Sequence, residues 1–263
     1  MDLRLKDKVA LVAAASRGLG RAVAEELAAE GASLVLCARD ATTLAETTAS
    51  IADQTGAHVL AVPADVTDAA QVKQLVASGI ERFGRIDILV TNAGGPPAGR
   101  FDQLTQEQWE QAARLTLYSA VHLAREVLPG MKARRWGRIL NITSIAVKQP
   151  VDNLLLSNSL RAGLTGFART LANEVAADGV TVNNILPGYT RTERLQELAG
   201  MMADKLGISA GEFCGKWEAE IPMGRLGEPR EFAAVAAFLV SERASYITGT
   251  SIQVDGGWIK SLF

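Results

Sequence analysis

Short apolar runs, many of them rich in β-branched residues, recur along the chain between longer amphipathic stretches. Seven of these runs predict β-strands, namely Val9–Ala13, Ser33–Ala38, Val59–Val62, Ile86–Thr91, Arg138–Thr143, Val180–Leu186 and Ser251–Val254. Because the runs are almost wholly apolar and do not alternate with polar residues, they are typical of parallel strands buried on both faces.

The stretches between the strands have helical periodicity. Leu19, Val23 and Leu27 recur every four residues, and apolar residues at three- and four-residue steps run from Leu160 to Val175. Strands that alternate with helices form βαβ units with right-handed crossovers. We therefore predict that residues 1–263 form a single α/β domain, a Rossmann-type doubly wound sheet of about seven parallel strands. Such sheets bind ligands at the carboxyl ends of their strands.

One segment, Arg191–Ile221, interrupts the alternation of strand and helix. It has a helix-like pattern, follows the Pro187-Gly188 turn and carries Met201, Met202, Phe213 and Trp217. One interpretation is a pair of surface helices that packs on the core. The other, which its position after the carboxyl end of a strand favours, is a lid over a substrate pocket.

Composition excludes several classes of protein. The 263 residues are 48% hydrophobic, the net charge is −2, and no basic block indicates binding to nucleic acid or to a membrane surface. No apolar stretch approaches the ~18 residues of a membrane span, and the start, Met1–Lys8, lacks the apolar run of a signal peptide. Two cysteines, Cys37 and Cys214, are too few for a disulfide framework or a metal cage. We expect a cytoplasmic protein without a metal site.

The turn after the first predicted strand has the pattern of a phosphate-binding loop. Residues 13–20 read Ala-Ala-Ala-Ser-Arg-Gly-Leu-Gly, and Gly18 and Gly20 lie where the chain turns into a helix. Glycine lets backbone N–H groups approach a pyrophosphate, which the helix N-terminus then stabilises. A glycine pair alone also occurs in ordinary tight turns, but here it lies between a strand and a helix.

The end of the second predicted strand indicates which dinucleotide binds. An enzyme that uses NAD needs a carboxylate there to bind the ribose hydroxyls, and this chain has Ala38 followed by Arg39. Arg17 of the loop can reach the same region, and two guanidinium groups suit a 2′-phosphate. The sequence therefore favours NADP(H) over NAD(H). The alternatives are that both arginines are solvated, or that Asp40 pairs with Arg39.

Taken together, the motifs resemble the short-chain dehydrogenase/reductase family, especially its β-ketoacyl-acyl-carrier-protein reductase-like branch. The family's loop reads Thr-Gly-x-x-x-Gly-x-Gly, whereas this chain has alanine at both of its first two positions. Four further motifs match: Ala64-Asp65-Val66, Asn92-Ala93-Gly94, Pro187-Gly188, and Tyr246-Ile247-Thr248-Gly249 continuing into Val254-Asp255-Gly256-Gly257. The resemblance implies that the cofactor is bound by Ala14, Ser16, Arg17, Gly18, Leu19, Gly20, Arg39, Asp65, Val66, Asn92, Ala93, Gly94, Pro187 and Gly188.

The resemblance also implies a catalytic site with three of its four residues replaced. The family uses Asn, Ser, Tyr and Lys, and Ser144 matches the serine. Counting on from it, Ser157 takes the place of the tyrosine and Arg161 that of the lysine, while Thr116 takes the place of the asparagine. An aliphatic hydroxyl is a much weaker acid than a phenol, and an arginine holds its proton.

Two other residues are candidates for the missing proton donor. Tyr189 follows the Pro187-Gly188 turn, and Lys148 follows Ser144 on the same predicted loop. The simpler interpretations are that Tyr189 packs in the loop and that Lys148 is a solvated charge.

The sequence supports two functional hypotheses. The leading one is an atypical NADP(H)-binding oxidoreductase, resembling 3-oxoacyl-acyl-carrier-protein reductase, that acts on a small carbonyl/alcohol pair. The alternative is a catalytically inactive dinucleotide-binding protein that senses redox state or regulates a partner. In both cases the resemblance implies a homo-oligomer, expected to be a tetramer, with the predicted long helices 104–131 and 154–176 at an interface.

Overall fold

A computed structural model describes residues 1–262. Its seven parallel strands form one sheet in the order β3-β2-β1-β4-β5-β6-β7. The strands are β1 Val9–Ala13, β2 Ser33–Ala38, β3 Val59–Pro63, β4 Ile88–Thr91, β5 Gly137–Ile142, β6 Val180–Pro187 and β7 Ser251–Val254. The predicted seven-stranded doubly wound sheet is confirmed.

Nine α-helices of the described chain connect the strands or extend from them. They are α1 Gly18–Ala29, α2 Ala41–Thr55, α3 Ala69–Phe83, α4 Gln106–Ala113, α5 Ser119–Ala133, α6 Leu155–Val175, α7 Glu193–Leu206, α8 Ala210–Glu220 and α9 Pro229–Leu239. Helix α2 begins at the cap Asp40, whose carboxylate accepts from the amide of Thr43, and α3 begins at the cap Asp68 in the same way. None of these helices is long and apolar enough to cross a membrane.

Three strands, β1, β2 and β7, have the predicted bounds, β5 is shifted by one residue, and the other three differ by one or two residues at one end. The prediction that Ile86 and Asp87 belong to β4 is wrong. Asp87 is fully buried at the start of that strand, where its carboxylate accepts from the amide of Val9 and pairs with Arg85 and Arg134. This ionic cluster holds the chain at the amino edge of the sheet, directly before β4.

Both faces of the sheet are covered, as the apolar runs predicted. Along β2, Leu34 and Leu36 pack in one core cluster while Val35 and Cys37 pack in the cluster on the opposite face. All five residues of β1 are buried. Since β1 pairs with β2 on one side and β4 on the other, strand order reverses beside β1. A crevice at the carboxyl ends of the strands follows from this reversal.

Two parts of the helical layer differ from a simple reading of the sequence. The predicted long helix 104–131 is divided into α4 and α5 by a π-helical turn, Arg114–Tyr118. The segment 191–221 forms α7 and α8, which have a core cluster of their own around Phe213 and Trp217. Tyr189 stacks on Trp217, with ring centroids 5.1 Å apart, and joins this cluster to the loop after β6.

Candidate dinucleotide and active site

A cleft of about 550 Å³ opens at the carboxyl edge of the sheet, a volume typical of ligand pockets. Most of the predicted cofactor-binding residues line it: Ala14, Ser16, Arg17, Gly18, Leu19, Arg39, Asp65, Val66, Asn92, Ala93, Gly94 and Pro187. Arg161 lines it as well. The structure therefore brings together residues that lie far apart in the sequence.

The loop between β1 and α1 has the shape that a phosphate group requires. Gly18 has φ +59°, and α1 starts after Arg17 without a side-chain cap, so its first N–H groups remain available to an anion. A Cβ at Gly20 would overlap the carbonyl oxygen of Ala14 and lie 2.8 Å from the side-chain nitrogen of Asn92. Only glycine allows this close packing of helix against loop.

Ala14 occupies a strained position in this loop. Its φ is +49°, in the left-handed region where a Cβ costs roughly 1–2 kcal/mol. The side-chain amide of Asn92 donates to the Ala14 carbonyl at 3.4 Å, which helps to hold the turn. The loop thus keeps its open shape although alanine stands where the resemblance implies glycine.

The two arginines predicted to bind a 2′-phosphate lie at the same end of the cleft. Within residues 1–262, Arg39 forms no ion pair, so the expected competition from Asp40 is not observed. The Thr43 amide instead donates to Asp40 and lowers the pKa of that carboxyl, with a smaller contribution from Arg17. Arg17 itself faces Glu197 of α7 at 4.0 Å, and both side chains are mostly exposed. An exposed pair at that distance is weak and leaves Arg17 available to a ligand.

Asp65 lies where the adenine clamp was expected. One of its carboxylate oxygens accepts from both the amide and the hydroxyl of Thr67, and its own amide donates to Gln71. These contacts fix the orientation of Asp65 beside Val66 in the cleft lining. The second carboxylate oxygen makes no hydrogen bond within the described chain.

Ser144 and Ser157 lie next to the cleft: neither is among its lining residues, but Thr143 and Arg161 beside them are. The Ser144 hydroxyl accepts from the amide of Ala146 at 3.1 Å, and Ser157, on the first turn of α6, is 9% exposed. Helix α6 packs against the turn that follows Ser144. Thr143, next to Ser144, and Arg161, one turn after Ser157, reach the cleft itself.

Thr116 and Arg161 border a recess of about 10 Å³ between the π-helical turn and α6. This is close to the smallest space that holds one water. Arg161 donates from Nη1 to the carbonyl oxygens of Ile142 and Thr143, at 3.1 and 2.7 Å. Burial, and to a smaller extent Arg194, lowers the pKa of Arg161 to about 10, so it stays charged at neutral pH. The π turn that carries Thr116 is a feature often found at functional sites.

The two candidate proton donors have other contacts. Tyr189 packs against Trp217 and Trp258, and burial, with Glu220, raises the pKa of its phenol. Lys148 donates to the side chain of Gln253 at 2.8 Å. A raised pKa makes Tyr189 a poorer acid, so these contacts favour the simpler interpretation of Tyr189 as a packing residue.

Comparison with known proteins identifies the family. A sequence model of the family described as enoyl-(acyl carrier protein) reductase matches residues 13–259. The chain belongs to the short-chain dehydrogenase/reductase family. It is 36% identical over 256 residues to the 3-oxoacyl-acyl-carrier-protein reductase FabG of Escherichia coli K12, which covers 97% of this chain and 98% of the relative.

Solved structures of this family have the same fold. L-sorbose reductase from Gluconobacter frateurii, complexed with NADPH and L-sorbose, matches with a TM-score of 0.96 and 37% identity over the whole of both chains. An actinorhodin polyketide ketoreductase with NADPH matches with a TM-score of 0.92 and 32% identity, covering 97% of this chain and 98% of that one.

Sequence reasoning missed several residues of the cleft. The first turns of α7 contribute Thr192, Glu193, Arg194 and Glu197, and Thr143 contributes from the end of β5. Neither interpretation of this segment, a surface helix pair or a lid over substrate, placed it beside the phosphate loop, yet a Cβ on Gly18 would lie 3.8 Å from Thr192. The predicted Gly188 packs closely against the backbone of Asp255. It shapes the turn and does not line the cleft.

Proposed function

We propose that this protein is an atypical short-chain dehydrogenase/reductase that binds NADP(H) and acts on a carbonyl/alcohol pair, resembling 3-oxoacyl-acyl-carrier-protein reductase. One observation carries the proposal: a cleft with an open phosphate loop at one end has Arg17 and Arg39, and no carboxylate at position 38, in its lining. The NADPH complexes of the two structural relatives support the same choice of cofactor.

The cleft residues fit a dinucleotide. Gly18 and the uncapped start of α1 suit the pyrophosphate, and the close packing at Gly20 keeps the loop in place. Arg17 and Arg39 supply charge for a 2′-phosphate, and Asp65 with Val66 lies where an adenine would be held. NADPH, when bound, supplies a hydride.

The part of the cleft at the carboxyl end of β5, here called the inner end, is lined by Thr143 and Arg161, and neither side chain is a good proton donor. Ser157 replaces the tyrosine and Arg161 the lysine of the family pattern, with Thr116 in place of the asparagine. Ser144 remains to orient a carbonyl oxygen, and the recess beside Thr116 and Arg161 has room for one water. We infer that a proton reaches the reacting oxygen from water. Because a positioned general acid contributes roughly 10²- to 10⁴-fold, carbonyl reduction should be slow.

The buried hydroxyl at position 157 and the fixed Arg161 also favour the alternative, an inactive dinucleotide-binding sensor or regulator. Binding and turnover separate the two hypotheses. We would titrate NADPH by fluorescence and then follow its oxidation by absorbance with a panel of ketones and 3-oxoacyl thioesters. Binding with slow turnover supports the oxidoreductase, and binding without turnover supports the sensor. Absence of NADPH binding would contradict both.

Helices α7 and α8 are proposed to form a lid, because the first turn of α7 lines the cleft.

We further propose a homotetramer with α5 and α6 at one interface. Ala162, Gly163 and Gly166 form an exposed face of small residues on α6, which permits close helix approach. Light scattering at micromolar concentration should give four times the chain mass, and a monomeric mass would refute the assembly.

A further inference from the structure

Two arginines from different elements line the inner end of the cleft, close enough to interact electrostatically. Arg161 comes from α6 and Arg194 from α7, and both line the cleft. We propose that Arg161 and Arg194 together bind an oxyanion, a phosphate or carboxylate group, at this end. The inference deepens the proposed function and rests on it, because it assigns the anion to the bound cofactor or to the substrate.

The guanidinium of Arg194 lies over Gly95, where the lack of a side chain leaves room for it. A Cβ at Gly95 would lie 2.8 Å from Nη2 of Arg194 and 3.4 Å from its Cζ, so the guanidinium rests directly on the backbone after β4. Within residues 1–262 the side chain of Arg194 forms no ion pair and no hydrogen bond. A guanidinium held at a cleft wall without a carboxylate is available to a ligand anion.

The guanidinium of Arg161 is partly buried and has no carboxylate partner in the described chain. The two hydrogen bonds of its side chain both use Nη1 and go to the carbonyl oxygens of Ile142 and Thr143. Burying a charge is costly unless an opposite charge compensates it. The proximity of Arg194 adds to that cost, since each cation disfavours the other. An anion bound between the two arginines would offset both the cost of burial and the repulsion between the two cations.

Two buried hydroxyls beside Arg161 also have no partner in the structure. Thr143, which is 2% exposed and lines the cleft, makes no hydrogen bond through Oγ1. Thr116, which is 4% exposed and lines the recess shared with Arg161, makes none either. Buried polar groups are nearly always hydrogen-bonded, so unpartnered hydroxyls beside a cation point to a polar ligand or a water that accompanies it.

Nearby carboxylates are directed to other parts of the cleft. Glu193 approaches Gly18, with its Oε2 3.9 Å from the position of a Cβ there, and Glu197 faces Arg17. Both therefore lie by the phosphate loop. The ligand chemistry is an oxyanion with two sources: the nicotinamide-side phosphate of the cofactor's pyrophosphate, which extends from the phosphate loop towards this end, or a carboxylate of the substrate.

The test compares Arg194→Gln with Arg191→Gln. Arg191 lies three residues earlier, pairs with Glu218 and Glu228, and does not line the cleft, so the control removes the same charge elsewhere. NADPH and adenosine 2′,5′-bisphosphate, which lacks the pyrophosphate bridge, are titrated by calorimetry. Pyruvate, with acetone as its uncharged counterpart, is titrated against free and NADP⁺-loaded protein by saturation-transfer NMR.

If the anion is the pyrophosphate, Arg194→Gln weakens NADPH binding by about tenfold, the effect of one charge-assisted contact, and changes binding of the bisphosphate less than about twofold. If the anion belongs to the substrate, NADPH binding is unchanged, but Arg194→Gln loses the pyruvate signal that Arg191→Gln retains. Gly95→Ala, which displaces the guanidinium without removing its charge, should weaken binding of the same ligand.

The proposal is overturned if Arg194→Gln binds both NADPH and pyruvate like the parent, or if Arg191→Gln has an equal effect. A parent protein that binds no NADPH refutes the proposed function instead. In that case pyruvate binding to the free protein still decides the role of Arg194, because it needs no cofactor.

Discussion

The two ends of the cleft differ in how closely their residues match the pattern of the family. At the phosphate-loop end, Gly18 has φ +59°, Gly20 packs closely against Ala14 and Asn92, and Ala14, where the family resemblance implies glycine, is accommodated at φ +49°. At the inner end, serine and arginine occupy the positions that the family resemblance assigns to tyrosine and lysine.

The comparison shows that cofactor binding and proton transfer depend on different parts of the chain. Binding uses backbone N–H groups, a helix N-terminus and surface charges, which tolerate a change of one side chain. Proton transfer needs one group with a suitable pKa at one place, and no neighbouring residue can replace it without moving. Replacement of the usual acid therefore does not by itself remove a dinucleotide site.

The largest effect is expected from restoring the acid. The double change Ser157→Tyr with Arg161→Lys should raise ketone reduction by roughly 10²-fold or more, because a phenol near a lysine supplies the missing proton donor. The measurement is the initial rate of NADPH oxidation at saturating cofactor.

Ser159→Tyr with Arg161→Lys is the matched control, since Ser159 is exposed on the same helix. It should leave the rate near that of the parent. If the folded, NADPH-binding Ser157→Tyr variant is no faster than this control, the lost acid is not the main defect, and the inactive-sensor hypothesis is favoured.

Removal of one 2′-phosphate arginine should have the next largest effect. Arg39→Ala should cut the preference for NADPH over NADH by about tenfold or more, because a hydrogen bond to a charged group contributes roughly 1.5–3 kcal/mol. Arg230→Ala, an exposed arginine on α9, should change the ratio of the two dissociation constants little. An unchanged ratio in Arg39→Ala would show that another residue selects the cofactor.

The smallest effect concerns the phosphate loop. Ala14→Gly should stabilise the fold by at most about 1 kcal/mol, because relief of the left-handed strain exceeds the added entropy of the unfolded chain by little. Urea unfolding measures the change. Ala15→Gly, at a buried neighbour without a positive φ, should destabilise the protein. A loss of stability in Ala14→Gly would mean that the alanine methyl is well accommodated.

The sheet was predictable because strands buried on both faces leave a continuous apolar signal, as in β1 and β2. The ends of the strands were harder to predict. Asp87 lies inside an apolar run that was predicted as one strand, and only its contacts with Arg85 and Arg134 show why β4 begins after it. In the site, residues next to glycine turns were found from local pattern. Arg194 was not, since its place over Gly95 depends on how α7 folds back across the cleft.

The most direct test of the central claim is an equilibrium titration of the unaltered protein with NADPH and with NADH. An intact cofactor end predicts saturable binding of one NADPH per chain, with an affinity about tenfold or more above that for NADH. Equal affinities, or no binding of either cofactor, would contradict the claim that this chain retains an NADP(H) site while its usual catalytic acid is replaced.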